Sequence, residues 1–305
     1  MPLNLPDGLP AIELLERENI FVMGQAKAVR QDIRPLRIVI LNLMPLKITT
    51  ETDLVRLLSN TPLQLEICFM KLRTHTPKHT PVEHLMAFYE DFETLRSQRF
   101  DGMIVTGAPV EKLPFEEVSY WEELCEIFDW ARLHVTSSFY ICWAAQAALF
   151  HFYGVPKYLL PEKKFGVFKH TCSMACHPML RGFDDEFYVP HSRHTEVRKA
   201  DIVQVSGLEV LAESEDAGIY MVAGRNGREL FVTGHSEYAS LTLDAEYKRD
   251  LAKGLDIAMP ENYYCDNNPE KGPRVRWRGH ANLLFTNWLN YYVYQETPYN
   301  INEIG

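Results

Sequence analysis

A cysteine ends the apolar run SSFYIC, and the helix-like stretch WAAQAALFHFYG follows it at once. Cys142 therefore stands where a buried strand would hand over to a helix. A thiol at such a corner is lifted above the sheet edge, and the helix N-terminus behind it favours the thiolate. Backbone N–H groups at the helix start, beginning with Trp143, can form half of an oxyanion hole. The competing reading is a buried structural cysteine, a common fate for this residue. A second segment, VTGHSEY, raises the case for chemistry. His235 and Glu237 stand two residues apart, and in extended backbone such residues point to the same side. A carboxylate there orients the imidazole and fixes its tautomer, so that the ring accepts a thiol proton. The plainer alternative is a histidine at a strand end beside a solvated glutamate. Together Cys142, His235 and Glu237 read as nucleophile, base and orienter, suited to acyl transfer or amide hydrolysis through a thioester.

Other clusters carry less. HTCSMACH sets Cys172, Cys176 and His177 close together, but a C-x3-C spacing with no second matching pair does not meet the four-ligand need of a structural zinc site. No metal is expected. PHSRHTEVR packs His191, Ser192, Arg193, His194 and Arg198 into what reads as one short loop, either a solvated turn or a polar substrate wall. EYKRD places Lys248 and Arg249 at the end of a helical stretch, where cations suit the dipole. Arg249 can clamp a carboxylate by two parallel hydrogen bonds. RVRWRGH, Arg274 to His280, is a local basic cluster with no ligand to assign.

The elements that must position these residues follow from pattern. RIVILNL, Arg37 to Leu43, is β-branched and apolar, hence a buried strand stopped by Pro45. TETDLVRLLSN carries a helical stripe with Thr49 or Thr50 as N-cap. LQLEICFMKL alternates as a strand, a helical region spans about 84–97, and FDGMIVTGAP is a strand ending at Gly107. SYWEELCEIFDWARLH is a helix, SSFYIC a strand and WAAQAALFHFYG a helix closed by Gly154. LEVLAES, GIYMVAG and RELFVTGH are late strands, with RNG as a hairpin turn. The order is less regular over 155–207. The C-terminal HANLLFTNWLNYYVYQ is helical and aromatic, fit to pack on the domain or on a partner. Alternating strands and helices imply an α/β fold of three layers, a mainly parallel sheet with helices on both faces. Residues 1–36 read as an N-terminal arm packing on the main domain, and 37–305 as a single domain. In such a sheet ligands bind beyond the carboxyl ends of the strands. TGAPVE, YICWA and TGHSEY all fall on that edge.

Bulk properties narrow the partners. The chain has 305 residues, 24% charged and 46% hydrophobic, with a formal net charge of -10. An acidic surface is a poor general binder of nucleic acid. No apolar stretch reaches the roughly 18–20 residues of a membrane span. The N-terminal residues lack the basic flank and apolar core of a signal peptide. The expected compartment is the cytoplasm, where the 6 cysteines would stay reduced.

Taken together and in order, ENIFVM, LNLMPLKITTE, FDGMIVTGAPVE, CWAAQAALFHFYG, PHSRHTEVR, GHSEY and RWRGHANLLFTNWLNYYVYQETPY resemble the homoserine O-acyltransferases of methionine biosynthesis. The likeness covers nearly the whole chain. It implies a class I glutamine amidotransferase-like (flavodoxin-like) fold and a ping-pong transfer from acyl-CoA to the γ-hydroxyl of L-homoserine. By motif, Cys142 is the acyl-thioester nucleophile, His235 the general base and Glu237 its orienter. Backbone N–H groups at Gly107–Ala108 and Trp143 hold the oxyanion. Substrate contacts fall on Lys163, Ser192 and Arg249, the last toward the homoserine carboxylate. Lys47 lies in LMPLKITTE. Members often have two lysines there and Leu46 replaces the first, so no CoA-phosphate role is carried over to that segment.

Within this resemblance the residue after TGAP-x separates donors, glycine going with succinyl and glutamate with acetyl. Here it is Glu111. A succinyl carboxylate about 4 Å from Glu111 at an effective dielectric near 20 would be repelled by roughly 4 kcal/mol before screening. The expected donor is acetyl-CoA, with succinyl-CoA the alternative and no permanently bound cofactor. The resemblance and the aromatic C-terminal helix point to a homodimer. A glutamine amidotransferase or cysteine peptidase on the same fold is disfavoured, because Ala144 stands where amidotransferases usually have glycine. A CoA or metabolite sensor would not need Cys142, His235 and Glu237 together.

Overall fold

The computed structural model of the protein describes residues 3–5, 8–17, 22–24, 34–75, 80–174 and 177–304. Along the chain β1 (Leu3–Leu5), α1 (Pro10–Arg17) and β2 (Val22–Gly24) precede β3 (Leu36–Leu41), α2 (Lys47–Leu58) and β4 (Leu65–Lys71). Next come α3 (Val82–Phe88), β5 (Tyr89–Asp91), α4 (Phe92–Leu95), β6 (Phe100–Val105), α5 (Trp121–His134), β7 (Val135–Ile141) and α6 (Trp143–Tyr153). The second half holds β8 (Tyr158–Cys172), β9 (Glu186–Glu196), α7 (Lys199–Ile202), β10 (Leu208–Ser214), β11 (Gly218–Gly224), β12 (Glu229–Val232), α8 (Thr242–Ala252) and α9 (Arg278–Asn287). The chain continues from α9 as a π-helix over Trp288–Tyr294.

Among the described residues the strands join one sheet, in the order β2-β1-β4-β3-β6-β7-β12-β11-β10-β8-β9, with β5 beside β4. Pairing is parallel from β2 through to β12 and antiparallel from β12 to β9. The reason lies in composition. β6 and β7 are buried at every position, as central parallel strands covered on both faces must be. Side chains alternate between two cores. Ile38 and Ile40 of β3 share one with Leu54 of α2, Phe285 of α9 and Trp288. Val39 and Leu41 share the other with Phe128 of α5 and the alanines of α6. This is the expected α/β sandwich of three layers. β1 and β2 lengthen the sheet beyond β4, with Asn4 opposite Glu66.

Several local expectations need correction. The helix over 47–58 starts at Lys47, not after a threonine cap; the Thr50 N–H donates to the Leu46 carbonyl at 3.3 Å. The helical region of 84–97 is broken by β5, where Tyr89 pairs opposite Phe69 of β4 and buries its ring. The PHSRHTEVR segment is no loop. Residues 190–196 lie in β9, paired to β8 over a long antiparallel ribbon, so its side chains alternate between core and cleft. The aromatic C-terminal segment packs on its own sheet. Trp288 is fully buried, its indole N–H donates to Ser137 Oγ at 2.9 Å, and its ring meets Phe139.

The RNG turn forms as expected and sets the register of β11 on β12. Gly227 has φ +86°, and a Cβ there would fall 1.9 Å from the Tyr292 ring. Gly227→Ala is expected to destabilise the fold by about 2 kcal/mol or more, through left-handed strain and overpacking. Urea unfolding checks it, and a variant as stable as the parent refutes this account of the turn.

Candidate active site

The corner at Cys142 is strained. Its backbone has φ 53° and ψ -114°, a region that non-glycine residues avoid at a cost of about 1–3 kcal/mol. Hydrogen bonds on both sides hold it. The Cys142 N–H donates to the Val232 carbonyl at 2.7 Å, tying the corner to the end of β12. Its carbonyl accepts from Ala145 at 3.1 Å and Gln146 at 3.3 Å, fixing the first turn of α6. Gly154, at φ 69°, closes that helix as the sequence implies.

β12 delivers the second part of the site. Just past its end the chain turns rather than running extended, so the i, i+2 argument is not what joins His235 to Glu237. The turn does it: the His235 N–H donates to Pro190 O at 2.8 Å, and Nδ1 lies 2.7 Å from Glu237 Oε1. With Nδ1–H given to the carboxylate, Nε2 is left for the thiol. The ring lies beside Cys142, which lines the same cleft. Burial alone would lower the His235 imidazole. Cys142 and Glu237 reverse that and hold it well above the ordinary histidine value. The Tyr238 ring stacks on the imidazole at 4.2 Å between centroids and 14° between planes. Sequence reasoning gave Tyr238 no role, although GHSEY contains it.

Gly107 follows β6 and packs against Cys142; a Cβ there would lie 3.3 Å from Cys142 Cβ and 3.6 Å from His235 Cε1. A side chain there would crowd Cys142 by a few tenths of an ångström. Gly107, Ala108 and Glu111 line a cleft of about 420 Å³ together with Cys142, His235, Lys163, Ser192 and Arg249. The structure thus gathers residues spread over more than a hundred positions. Trp143 is fully buried beside them at the first turn of α6, where backbone N–H groups lack intrahelical acceptors.

The cleft wall is an ion network. Ser192 donates to Glu246 Oε2 at 2.6 Å, Tyr238 to Glu246 Oε1 at 3.1 Å, and Lys163 Nζ lies 3.4 Å from the same residue. Glu246 and Asp250 stand one turn apart on α8, a spacing visible in the sequence but passed over there for Lys248 and Arg249. Arg249 forks onto Asp250 at 2.7 and 3.0 Å, so the expected carboxylate clamp already holds an internal carboxylate. Burial pushes the Glu111 carboxyl up, against the pull of the His194 N–H and the charges of His235, Lys163 and Arg193.

Other candidates lie elsewhere. Lys47 is buried, donates to the Asn42 carbonyl and is pushed down to about 8 by burial, so its charge is not presented to solvent. His177 accepts from the Met179 N–H at 3.3 Å. Cys176 lies outside the described residues, and among those described no three metal-ligating groups converge. In the basic RVRWRGH cluster, Trp277 donates to the Tyr238 carbonyl at 2.9 Å and so braces the turn that carries His235.

With the geometry in place, the comparisons are direct. A family model described as homoserine O-succinyltransferase matches residues 2–299. The chain belongs to that family. A protein of Bacteroides fragilis named homoserine O-acetyltransferase is 70% identical over the full length of both chains. One of Desulfitobacterium hafniense with the same name is 59% identical, covering all of this chain and 99% of its own. Among solved structures, a glutamine amidotransferase from Thermotoga maritima aligns at TM-score 0.57 with 11% identity, over 86% of this chain and 100% of that one. Another, from Methylobacillus flagellatus, gives TM-score 0.51 at 11% identity, over 85% and 95%. The fold of this family member is therefore glutamine amidotransferase-like, as expected.

In this homoserine O-succinyltransferase family member, Asp53 of α2 faces Glu237. Asp53 accepts from the Ala239 backbone, pairs with Arg56 at 2.9 Å, and is pushed up to about 7, chiefly by burial and further by Glu237. A carboxyl raised in the folded state binds its proton more tightly there than when unfolded. Its contribution to stability is present below the unfolded value near 3.8 and is lost as pH rises through about 7. Asp53→Asn is expected to flatten that part of the stability profile between about pH 4 and 7. Urea midpoints against pH test this, and an unchanged slope would contradict it.

Proposed function

We propose that the chain is a homoserine O-acetyltransferase that moves an acetyl group from acetyl-CoA to the γ-hydroxyl of L-homoserine, in methionine biosynthesis. The observation that carries this is the imidazole of His235, hydrogen-bonded to Glu237 and lining one cleft with Cys142 and Glu111. The Cys142 sulfur attacks the thioester carbonyl of acetyl-CoA. The oxyanion is met by N–H groups of Gly107 or Ala108 and Trp143. The intermediate collapses, and the CoA sulfur leaves with the proton from His235. Homoserine then gives its hydroxyl proton to His235 as its oxygen attacks the acyl-Cys142, and the Cys142 thiolate leaves. Glu237 steadies the imidazolium in both halves.

Lys163, Ser192 and Arg249 form the homoserine wall. Arg249 has donors beyond the two nitrogens it gives to Asp250, enough to meet a substrate carboxylate. Glu111 sets the donor. A succinyl carboxylate brought beside it must share a proton with it or be repelled. The names of the full-length relatives also support acetyl. The family description names succinyl transfer, which keeps succinyl-CoA as the alternative donor. The active unit is a homodimer in the cytoplasm, a reading supported by the family likeness and not by the C-terminal aromatics, which the chain's own sheet uses.

Protein mixed with acetyl-CoA is expected to gain the mass of one acetyl group on Cys142. Homoserine should discharge it, and Cys142→Ala should never acquire it. Intact-protein mass spectrometry reads all three, and an adduct that survives homoserine refutes the second half-reaction. Glu111→Gly should shift the donor preference toward succinyl-CoA by at least tenfold in kcat/KM, well within a repulsion of about 4 kcal/mol. An unchanged preference would remove Glu111 from the specificity argument.

A further inference from the structure

The loop that carries Glu111 is held by a cation that the mechanism above does not use. Residues 106–114 link β6 to the short turn of helix Phe115–Glu117 and form neither strand nor helix themselves. Among the described residues the backbone of this loop bonds to itself once, from the Leu113 N–H to the Val110 carbonyl at 3.1 Å. Lys157 supplies the rest. Its Nζ donates to the Glu111 carbonyl at 2.6 Å and to the Leu113 carbonyl. The same Nζ lies 4.3 Å from the centre of the Phe115 ring, within cation–π range. One half-buried lysine thus grips residues 111, 113 and 115 together.

The grip has a firm mount. Lys157 stands between α6 and β8, directly after Pro156, whose ring fixes its own φ. The Gly154 N–H donates to the Phe150 carbonyl at 2.9 Å and the Val155 N–H to the Leu149 carbonyl at 3.3 Å, so this connection is tied to the end of α6. Phe115 packs on the same helix, its ring 4.8 Å from that of Phe150 and 6.0 Å from that of Trp143. The loop is therefore fastened to α6, the helix that begins directly after Cys142.

Holding these carbonyls matters for a side chain. A peptide group is planar, so a carbonyl held in place fixes the torsion beside its Cα. At Glu111 this sets the direction in which the side chain leaves the backbone, at the cleft it lines with Cys142, His235 and His194. Lys112 and Leu113 line that cleft as well, whereas Lys157 is not among its lining residues. Lys157 therefore reaches the cleft through the loop, and contact with an acyl donor is left to Glu111.

We infer that Lys157 is a positioning residue for donor choice, a clamp that keeps Glu111 turned to the cleft so that an acyl group ending in a free carboxylate is rejected. The inference rests on the reading of Glu111 as the residue that selects acetyl over succinyl. A clamp and a direct effect of charge predict opposite signs. A lysine felt directly by the donor would attract a succinyl carboxylate, and its loss would sharpen the preference for acetyl. Loss of a clamp frees Glu111 to swing aside and blunts that preference.

Lys157→Met keeps the apolar stem and removes the ammonium. Its ratio of kcat/KM for acetyl-CoA over succinyl-CoA is expected to fall by about fivefold, less than for Glu111→Gly. Added to Glu111→Gly, the same change should leave the ratio unmoved, because the residue it aims is gone. Lys157→Arg restores donors for both carbonyls and should return the ratio to the parent's. Amide hydrogen exchange over residues 109–113, read by mass spectrometry, should quicken in Lys157→Met and not in Lys157→Arg. Should the methionine variant fail to fold, Lys157→Ala takes its place with the same expectations. A parent-like ratio in Lys157→Met overturns the inference, as does a shift toward acetyl or an equal fall in the Glu111→Gly background. Unchanged exchange in Lys157→Met, or an arginine variant displaced as far as the methionine one, overturns it too. A Glu111→Gly enzyme that keeps the parent's ratio would instead sink the reading of Glu111 itself, and the role of Lys157 in donor choice would fall with it.

Discussion

Everything in the site hangs from one hydrogen bond, Cys142 N–H to Val232 O at 2.7 Å. It holds a non-glycine residue at φ 53°, which the chain would otherwise leave. The same contact fastens the end of β7 to the end of β12. Cys142 begins α6 on one side of it, and His235 follows three residues after Val232 on the other. Sulfur and imidazole are therefore brought together by sheet pairing, and their approach is as rigid as the sheet. A parallel sheet is suited to this, because its central strands end side by side.

Around that joint the charges are sorted by depth. The cleft wall holds Lys163, Glu246, Asp250 and Arg249 in one ion network, with only the Arg249 side chain half open to solvent. Deeper, on β8 and β9, the groups are fixed, with Arg193 and a neutral histidine pair sealed from water. Between the layers stands the triad, where Glu237 steadies one face of the imidazole's proton chemistry and Tyr238 lies flat against its ring. The outer layer can rearrange around a substrate. The inner layer is locked by its own hydrogen bonds.

Much of this was legible from residue order alone. Parallel strands show as continuous apolar runs, so β3, β6 and β7 and the corner at Cys142 could be read directly. What escaped depended on partners distant in the chain. PHSRHTEVR is too polar to look like a strand; only its pairing with β8 buries His191 and Arg193 while turning Ser192 and His194 to the cleft. Tyr89 breaks a helical pattern because its ring joins Phe69 and its hydroxyl reaches Glu51 and Asn42, none of them near in sequence. Glu246 carries no local signature, since its meaning comes from Ser192, Tyr238 and Lys163. His235 and Glu237 do meet, but a turn brings them together where an extended strand was assumed.

The position of β12 has a consequence for how the protein is made. This strand sits in the interior of the sheet, between β7 and β11, yet nearly a hundred residues separate it from β7 in the chain. On the ribosome Cys142 emerges long before the strand that must slot in beside it. Until then the nascent chain has an open slot in its centre, and the sulfur has neither its imidazole nor the backbone latch on its corner. The Cys142 sulfur thus meets His235 only once the insertion of β12 completes the sheet.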